Sequence, residues 1–259
     1  MIKSISIEKL FTDVPFHDRF ARVAEAGFTH VEFGNWPQYD LDQVGRLLDT
    51  HALQLASISG DRDFNLICAS DRPGYLAYLE ESAEAAVSLG CQNLVIHSNC
   101  LGDDGSVNTR GNGGSVYART ASATRILLEA AALAERYGVV LHLEPVSTVV
   151  KPGYAMHTTE SAGGVIAVVD SPHVRLLYDV YHMQMMEGNI VETLRRYADI
   201  IGYVQVADVP ERFEPGTGEI NFDRFTSVLL GELSYEGVVG FELYPSATIE
   251  ECLAAIRRF

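Results

Sequence analysis

Cysteine is scarce: four in 259 residues, at positions 68, 91, 100 and 252, with no C-x-x-C pair among them. That argues against a disulfide scaffold and cysteine-based zinc motifs, and points to inert buried thiols in a reducing compartment. Basic residues are few, 19 Lys and Arg against 35 Asp and Glu, a formal net charge of −16. Such a surface repels phosphate backbones and anionic headgroups, so neither nucleic acid nor membrane is expected as a partner. No uninterrupted apolar run reaches the roughly 18 residues of a membrane-spanning helix. The start, Met1-Ile2-Lys3-Ser4-Ile5-Ser6-Ile7-Glu8, alternates like a strand and lacks a signal peptide's apolar segment. The expected location is cytoplasmic. What the chain does have is 47% hydrophobic residues and the length to bury a large core.

Short β-branched runs alternate with longer stretches of helical period, the pattern of parallel strands joined by crossover helices. Strands are expected near Lys3–Ile7, His30–Phe33, Gln54–Ile58, Asn93–His97, Val139–Glu144, Val174–Asp179, Gly202–Val206 and Val238–Leu243. Helices are expected near Phe16–Ala26, Leu41–His51, Gly74–Leu89, Val116–Tyr137, Thr159–Val169, Ile190–Tyr197, Phe222–Leu230 and Ile249–Arg257. Thr248-Ile249-Glu250-Glu251 has the form of a capping box, as has Asp40-Leu41-Asp42-Gln43 with an acidic cap. Gly27, Gly90 and Gly138 fit left-handed helix ends. Eight βα units with no linker-like stretch between them predict an α/β fold, one single-domain (β/α)8 TIM barrel over residues 1–259. An open sheet is the alternative, because strand order is not written in the sequence. The polar, glycine-rich stretch 102–114 breaks the rhythm after the fourth strand. With acidic residues and no Walker lysine, it reads as a mobile lid rather than a phosphate cradle.

Barrel active sites form at the C-terminal ends of strands. There the chain places Glu144, Asp179, Gln205 and Glu242 on strands five to eight, with His182 close behind. Taken singly, each carboxylate reads as an ordinary solvated strand end. Three together cannot all stay ionised at low dielectric without a cation. Carboxylates with an amide carbonyl favour Mg²⁺ or Mn²⁺ over zinc. One divalent metal ion is therefore the expected cofactor.

Three stretches also carry a resemblance: Leu143-Glu144-Pro145, Asp179-Val180-Tyr181-His182-Met183-Gln184, and Val204 to Arg212 continuing through Glu214 to Asn221. Together they resemble the sugar-phosphate isomerase/epimerase superfamily of xylose-isomerase-like barrels, and within it the hydroxypyruvate isomerase family, most strongly over residues 139–259. The resemblance implies Glu144, Asp179, Gln205 and Glu242 as metal ligands, with Gln205 standing where sugar epimerases usually carry His. It implies Glu144 and Glu242 as the acid/base pair. It also implies His182 as a contact to a substrate oxygen and Arg212 as the holder of the substrate's hydroxyl or carboxylate end. A core histidine and a solvated loop cation are the plainer readings of these last two. The implied partner is a small sugar or sugar acid, and assembly as a homo-oligomer is left open.

The chemistry implied is proton transfer next to a carbonyl. A divalent ion stabilises the developing enediolate while one glutamate removes the α-proton. Returning the proton to the neighbouring carbon interconverts aldose and ketose, as between hydroxypyruvate and tartronate semialdehyde. Reprotonation from the opposite face by the other glutamate gives an epimer. An isomerase, an intramolecular oxidoreductase, is expected first. A ketose 3-epimerase, a dehydratase, an endonuclease-like barrel and a non-catalytic sugar-binding barrel are the alternatives. The chain departs from the family pattern after Pro145, where Val149 and Val150 replace an Arg-Asp pair and Lys151 is the only nearby cation. That change predicts poor turnover of hydroxypyruvate relative to a neutral or longer substrate. In the first half Glu32 and Gly60-Asp61 look family-like, whereas residues 62–72 do not align.

Overall fold

The computed structural model describes residues 1–102 and 104–259. Eight parallel strands close on themselves in sequence order, β1 pairing with both β2 and β8. They are β1 (Ile2–Ser6), β2 (His30–Glu32), β3 (Gln54–Ser59), β4 (Asn93–His97), β5 (Val140–Glu144), β6 (Val174–Asp179), β7 (Ile201–Val206) and β8 (Val238–Phe241). The helices are α1 (Phe16–Glu25), α2 (Leu41–His51), α3 (Arg72–Ser88), α4 (Val116–Tyr137), α5 (Thr159–Val169), α6 (Val180–Met186), α7 (Ile190–Tyr197), α8 (Phe222–Thr226) and α9 (Ile249–Arg258). Closure settles the question that the sequence left between barrel and open sheet.

Two departures from expectation are local. Helix α6 begins on the residue after β6, so no turn residue marks it in the sequence. Asp179 ends the strand and caps the helix at once, accepting from the backbone N–H groups of Tyr181 (2.8 Å) and His182 (3.3 Å). The helix expected over Phe222–Leu230 is α8 followed by a π-helical turn, Ser227–Glu232. Gly27, Gly90 and Gly138 do adopt positive φ of 82°, 69° and 67°. Asp40 caps α2 through Gln43 N, while Thr248 and Glu251 form the complete reciprocal box at α9. Removing that hydroxyl in Thr248→Ala should cost about 0.5–2 kcal/mol in denaturant unfolding, with the slope unchanged.

Strand alternation sorts the core into two parts. Leu141, Leu143, Leu176, Val204 and Phe241 face the helices and join the large apolar layer between sheet and helix ring. The other face points into the barrel, where the apolar cluster is small: Ala56, Leu177, Tyr203 and Val238, with Val95. Above it the inward positions turn polar, and the barrel opens into a cavity of about 690 Å³. All four cysteines are buried and free. Among the described residues no helix is long and apolar enough to cross a membrane.

Candidate active site

Glu144, His182, Gln205, Arg212 and Glu242 line that cavity; Asp179 is not in its wall but stands against His182 and Arg212. Glu144, Asp179 and His182 each offer a ligand atom, all within 4.8 Å of one another, and all three are buried. The sequence ties Asp179 to His182 by a three-residue step, and α6 turns that step into proximity. His182 Nε2 stands 3.6 Å from Asp179 Oδ2 and 3.7 Å from Glu144 Oε1, too far for hydrogen bonds. Gln205 lies opposite Asp179 in the β6–β7 register. Glu242 follows β8 and reaches the group through Arg212, whose Nη2 donates to Glu242 Oε2 (2.9 Å) and approaches Asp179 Oδ2 (3.4 Å).

Charge and burial set the protonation states. Burial pushes the Asp179 carboxyl up to about 6, a rise that Arg212 moderates. Burial would likewise raise Glu242, but Arg212 and then Lys9 outweigh it and hold the carboxyl below its usual range. Burial, reinforced by the Arg212 charge, drives His182 down to about 3, leaving a neutral imidazole. A neutral imidazole is the form that binds metal or accepts a hydrogen bond.

The residues present fit a hard divalent ion. Arg212 supplies the positive charge nearest Glu242 and Asp179, yet Gln205 Oε1 is buried with no hydrogen-bond partner. An amide oxygen left without a donor beside two buried carboxylates is a costly arrangement for a protein interior. It is an ordinary one for a cation bound by oxygen.

Arg212 owes its position to the loop after β7. The buried carboxylate of Asp208 accepts from four backbone N–H groups, those of Val209 (2.9 Å), Gly216 (2.9 Å), Gly218 (2.9 Å) and Ile220 (3.1 Å). Within this fold-back Arg212 takes a left-handed backbone, φ 64°, a conformation that costs a non-glycine residue about 1–2 kcal/mol. Asp208→Ala would leave those donors unpaired, so Arg212 should lose its fixed place. The check is a fall in melting temperature together with a rise in KM.

The loop after β5 corrects an expectation. Val149 is 66% exposed and Val150 packs against the core, and neither lines the cavity. Lys151 does line it, donating from Nζ to Gly105 O at 2.5 Å. The departure at this loop therefore reaches the cavity through Lys151, not through the valines. The stretch 102–114 is also better tied than a free lid. Asn108 O accepts from Asn65 and Asn99, Asn112 donates to Gly153 O, and Arg110 pairs with Asp71 at 3.0 Å. Asp103, which belongs to that stretch, lies outside the described residues.

Two site residues were not assigned a role from sequence. His97 ends β4 and links two carboxylates, with Nδ1 2.9 Å from Asp61 Oδ1 and Nε2 3.2 Å from Glu144 Oε2. Burial alone would lower its pKa, but Asp61 and then Glu144 carry it up to about 10, so the ring donates from both nitrogens. Glu32 ends β2 and is 3% exposed; burial pushes it up to about 7 against hydrogen bonds from Tyr203 and Gln205. A signal for Glu32 and His97 was available, since both are the last residues of strands, as Glu144 and Asp179 are.

The outer wall of the cavity comes from the first βα loops. Glu8 accepts from Gly34 N (2.8 Å), Asn35 N (3.2 Å) and the Tyr39 hydroxyl (3.0 Å), and all four residues line the cavity.

Comparison with known proteins agrees with this architecture. A family model described as a xylose isomerase-like TIM barrel matches residues 20–259. Hydroxypyruvate isomerase of Escherichia coli (strain K12) is 32% identical over 259 aligned residues, covering 95% of each chain. The 2-oxo-tetronate isomerase of Haemophilus influenzae is 32% identical, covering 93% of this chain and 92% of its own. A solved structure described as AP endonuclease, family 2, from Brucella melitensis superposes with a TM-score of 0.89 at 28% identity, covering 100% of this chain and 98% of that one. With the strand order, the polar mouth and these matches in agreement, the chain belongs to the xylose isomerase-like TIM barrel family.

Proposed function

We propose that this isomerase moves a proton between adjacent carbons of a small sugar acid bearing an α-hydroxycarbonyl group, with one divalent ion, Mg²⁺ or Mn²⁺, at Glu144, Asp179, Gln205 and Glu242. The observation that carries the reading is the convergence of Glu144, Asp179 and His182 beside a buried amide oxygen that has no donor. The names of the two curated relatives, both isomerases of oxo acids, support the substrate class. The ion, when bound, supplies a Lewis acid for the substrate's carbonyl and hydroxyl oxygens.

The chain's own groups do the rest. One of the two glutamates accepts the α-proton, and its electrons pass into the enediolate. Delivery of the proton to the neighbouring carbon, with the hydroxyl proton passing to the former carbonyl oxygen, completes the aldose–ketose exchange. His97 donates to Glu144 Oε2, which leaves Oε1 to face the cavity. Arg212 holds Glu242 in the same way from the other side and offers its remaining donors to the substrate's carboxylate or hydroxyl end. His182, kept neutral, contacts a substrate oxygen or the ion. A nucleic-acid substrate is opposed by the formal net charge of −16.

The test is a panel of oxo acids and ketoses incubated with the Mn²⁺-loaded protein in D₂O and followed by NMR. Solvent deuterium appearing at the carbon next to a migrated carbonyl is the expected outcome. Deuterium at the original carbon with inverted configuration and no migration would make the enzyme an epimerase instead. A panel that shows neither product nor exchange in any compound would remove proton transfer as the activity. Because Lys151 lines the cavity, Lys151→Met should raise KM for an acid substrate about tenfold or more while kcat changes less. Equal KM in the two enzymes would take Lys151 out of substrate recognition.

A further inference from the structure

Resting on the metal reading above, we infer that Glu32 is a positioning residue for the metal site: it fixes which end of the Gln205 amide faces the cavity. Glu32 sits on β2 and Gln205 on β7, strands that do not pair, so their contact crosses the barrel interior. Gln205 Nε2 donates to Glu32 Oε1 at 3.0 Å, and Tyr203 donates its hydroxyl to Glu32 Oε2 at 2.5 Å. Ser57 Oγ in turn donates to the Tyr203 oxygen at 3.3 Å, so the proton of Tyr203 is the one directed at Glu32. Both carboxylate oxygens thus act as acceptors.

An amide has a donor end and an acceptor end, and a carboxylate selects the donor. The acceptor end, Gln205 Oε1, is left buried and without a partner, in a residue that lines the cavity with Glu144 and His182. Stability gives no reason for this arrangement. Glu32 is buried without a cation against it among the described ion pairs, and such a carboxylate costs more than an apolar side chain would. The barrel also keeps space for it: a side chain at Gly240 would run into the Glu32 carboxylate, with a Cβ only 2.6 Å from Oε1. A carboxyl group buried at this cost, contacted by two oriented neutral donors, is explained by the orientation it imposes on Gln205. An amide without that acceptor-only partner can turn its N–H groups toward a cation, whereas a held one presents oxygen.

The test compares wild type with Glu32→Gln, the isosteric change that removes the acceptor-only character and lets the two amides pair in either sense. Protein stripped of metal is titrated with Mn²⁺, free ion is followed by electron paramagnetic resonance, and the melting temperature of each metal-free protein is recorded. Glu32→Gln should bind Mn²⁺ about 10–100-fold more weakly, while its metal-free melting temperature does not fall. Combining Glu32→Gln with Gln205→Leu should weaken binding no further than Gln205→Leu alone, because both changes remove the same ligand. Wild-type affinity in Glu32→Gln, or additive losses in the pair, would overturn the inference and leave the metal reading standing. Failure of wild type itself to bind Mn²⁺ would overturn both. Tyr203→Phe provides a second test should Glu32→Gln not fold. It removes one donor that anchors Glu32 and should weaken Mn²⁺ binding by about threefold or more, and unchanged affinity there would also overturn the inference.

Discussion

Glu144→Gln and Glu242→Gln should each lose turnover by about 10²–10⁴ while still binding Mn²⁺. Glutamine keeps a carbonyl oxygen for an ion and nearly the volume of glutamate, so the site can be filled; what it lacks is the basicity to accept an α-proton. Each glutamate has one oxygen already engaged, Glu144 by His97 and Glu242 by Arg212, so each presents one face to a substrate between them. In D₂O one variant should still wash deuterium into the substrate without forming product, because the surviving base removes and returns a proton on its own side. The other should block exchange altogether. Near-wild-type turnover in both would reduce the two carboxylates to ligands. If both lose metal, aspartate in place of each glutamate, with metal content measured, separates binding from proton transfer.

Exhaustive chelation should abolish activity, and Mn²⁺ or Mg²⁺ should restore it. The size of the effect follows from Asp179 and Glu144: without an ion the substrate's oxygens would face buried carboxylates instead of positive charge. The same ion should protect the fold. A ligand bound only by the native state adds about 2.7 kcal/mol at a concentration one hundred times its dissociation constant. Melting temperature should therefore rise with added Mn²⁺ and go on rising with the logarithm of its concentration above the dissociation constant. Full turnover by protein shown to be metal-free would end the metal reading, and a melting temperature that does not respond to Mn²⁺ would mean that the native protein does not bind it.

The barrel and the residues at the ends of β5 to β8 were legible because binary pattern and strand-end position are properties of consecutive residues. Glu144 and Asp179 announce themselves by where their strands stop. His97 and Glu32 end β4 and β2 in the same way, so the same rule covers them. Other features were not legible by any local rule. The Glu32–Gln205 hydrogen bond joins residues 173 positions apart and exists only once the barrel has closed. Asp208 reads as one more acidic loop residue until the chain folds back and aims four N–H groups at it. The valines at 149 and 150 misled for the complementary reason. Their position in the chain lies beside the site, but the backbone turns Val149 to solvent and Val150 to the core, and brings Lys151 in.

The pinning of Gly34, Asn35 and Tyr39 to Glu8 has a consequence for redesign. The residues of the cavity's outer wall are held by bonds among themselves, on loops after β1 and β2, while the proposed acid/base pair stands at the ends of β5 and β8. Recognition and chemistry can then diverge separately under selection. A combinatorial library confined to Gln38, Tyr39 and Tyr78, all in the cavity wall, should yield variants that accept acids of different length. Each survivor should still exchange deuterium into whatever it accepts, since no library position touches a proton-transferring carboxylate.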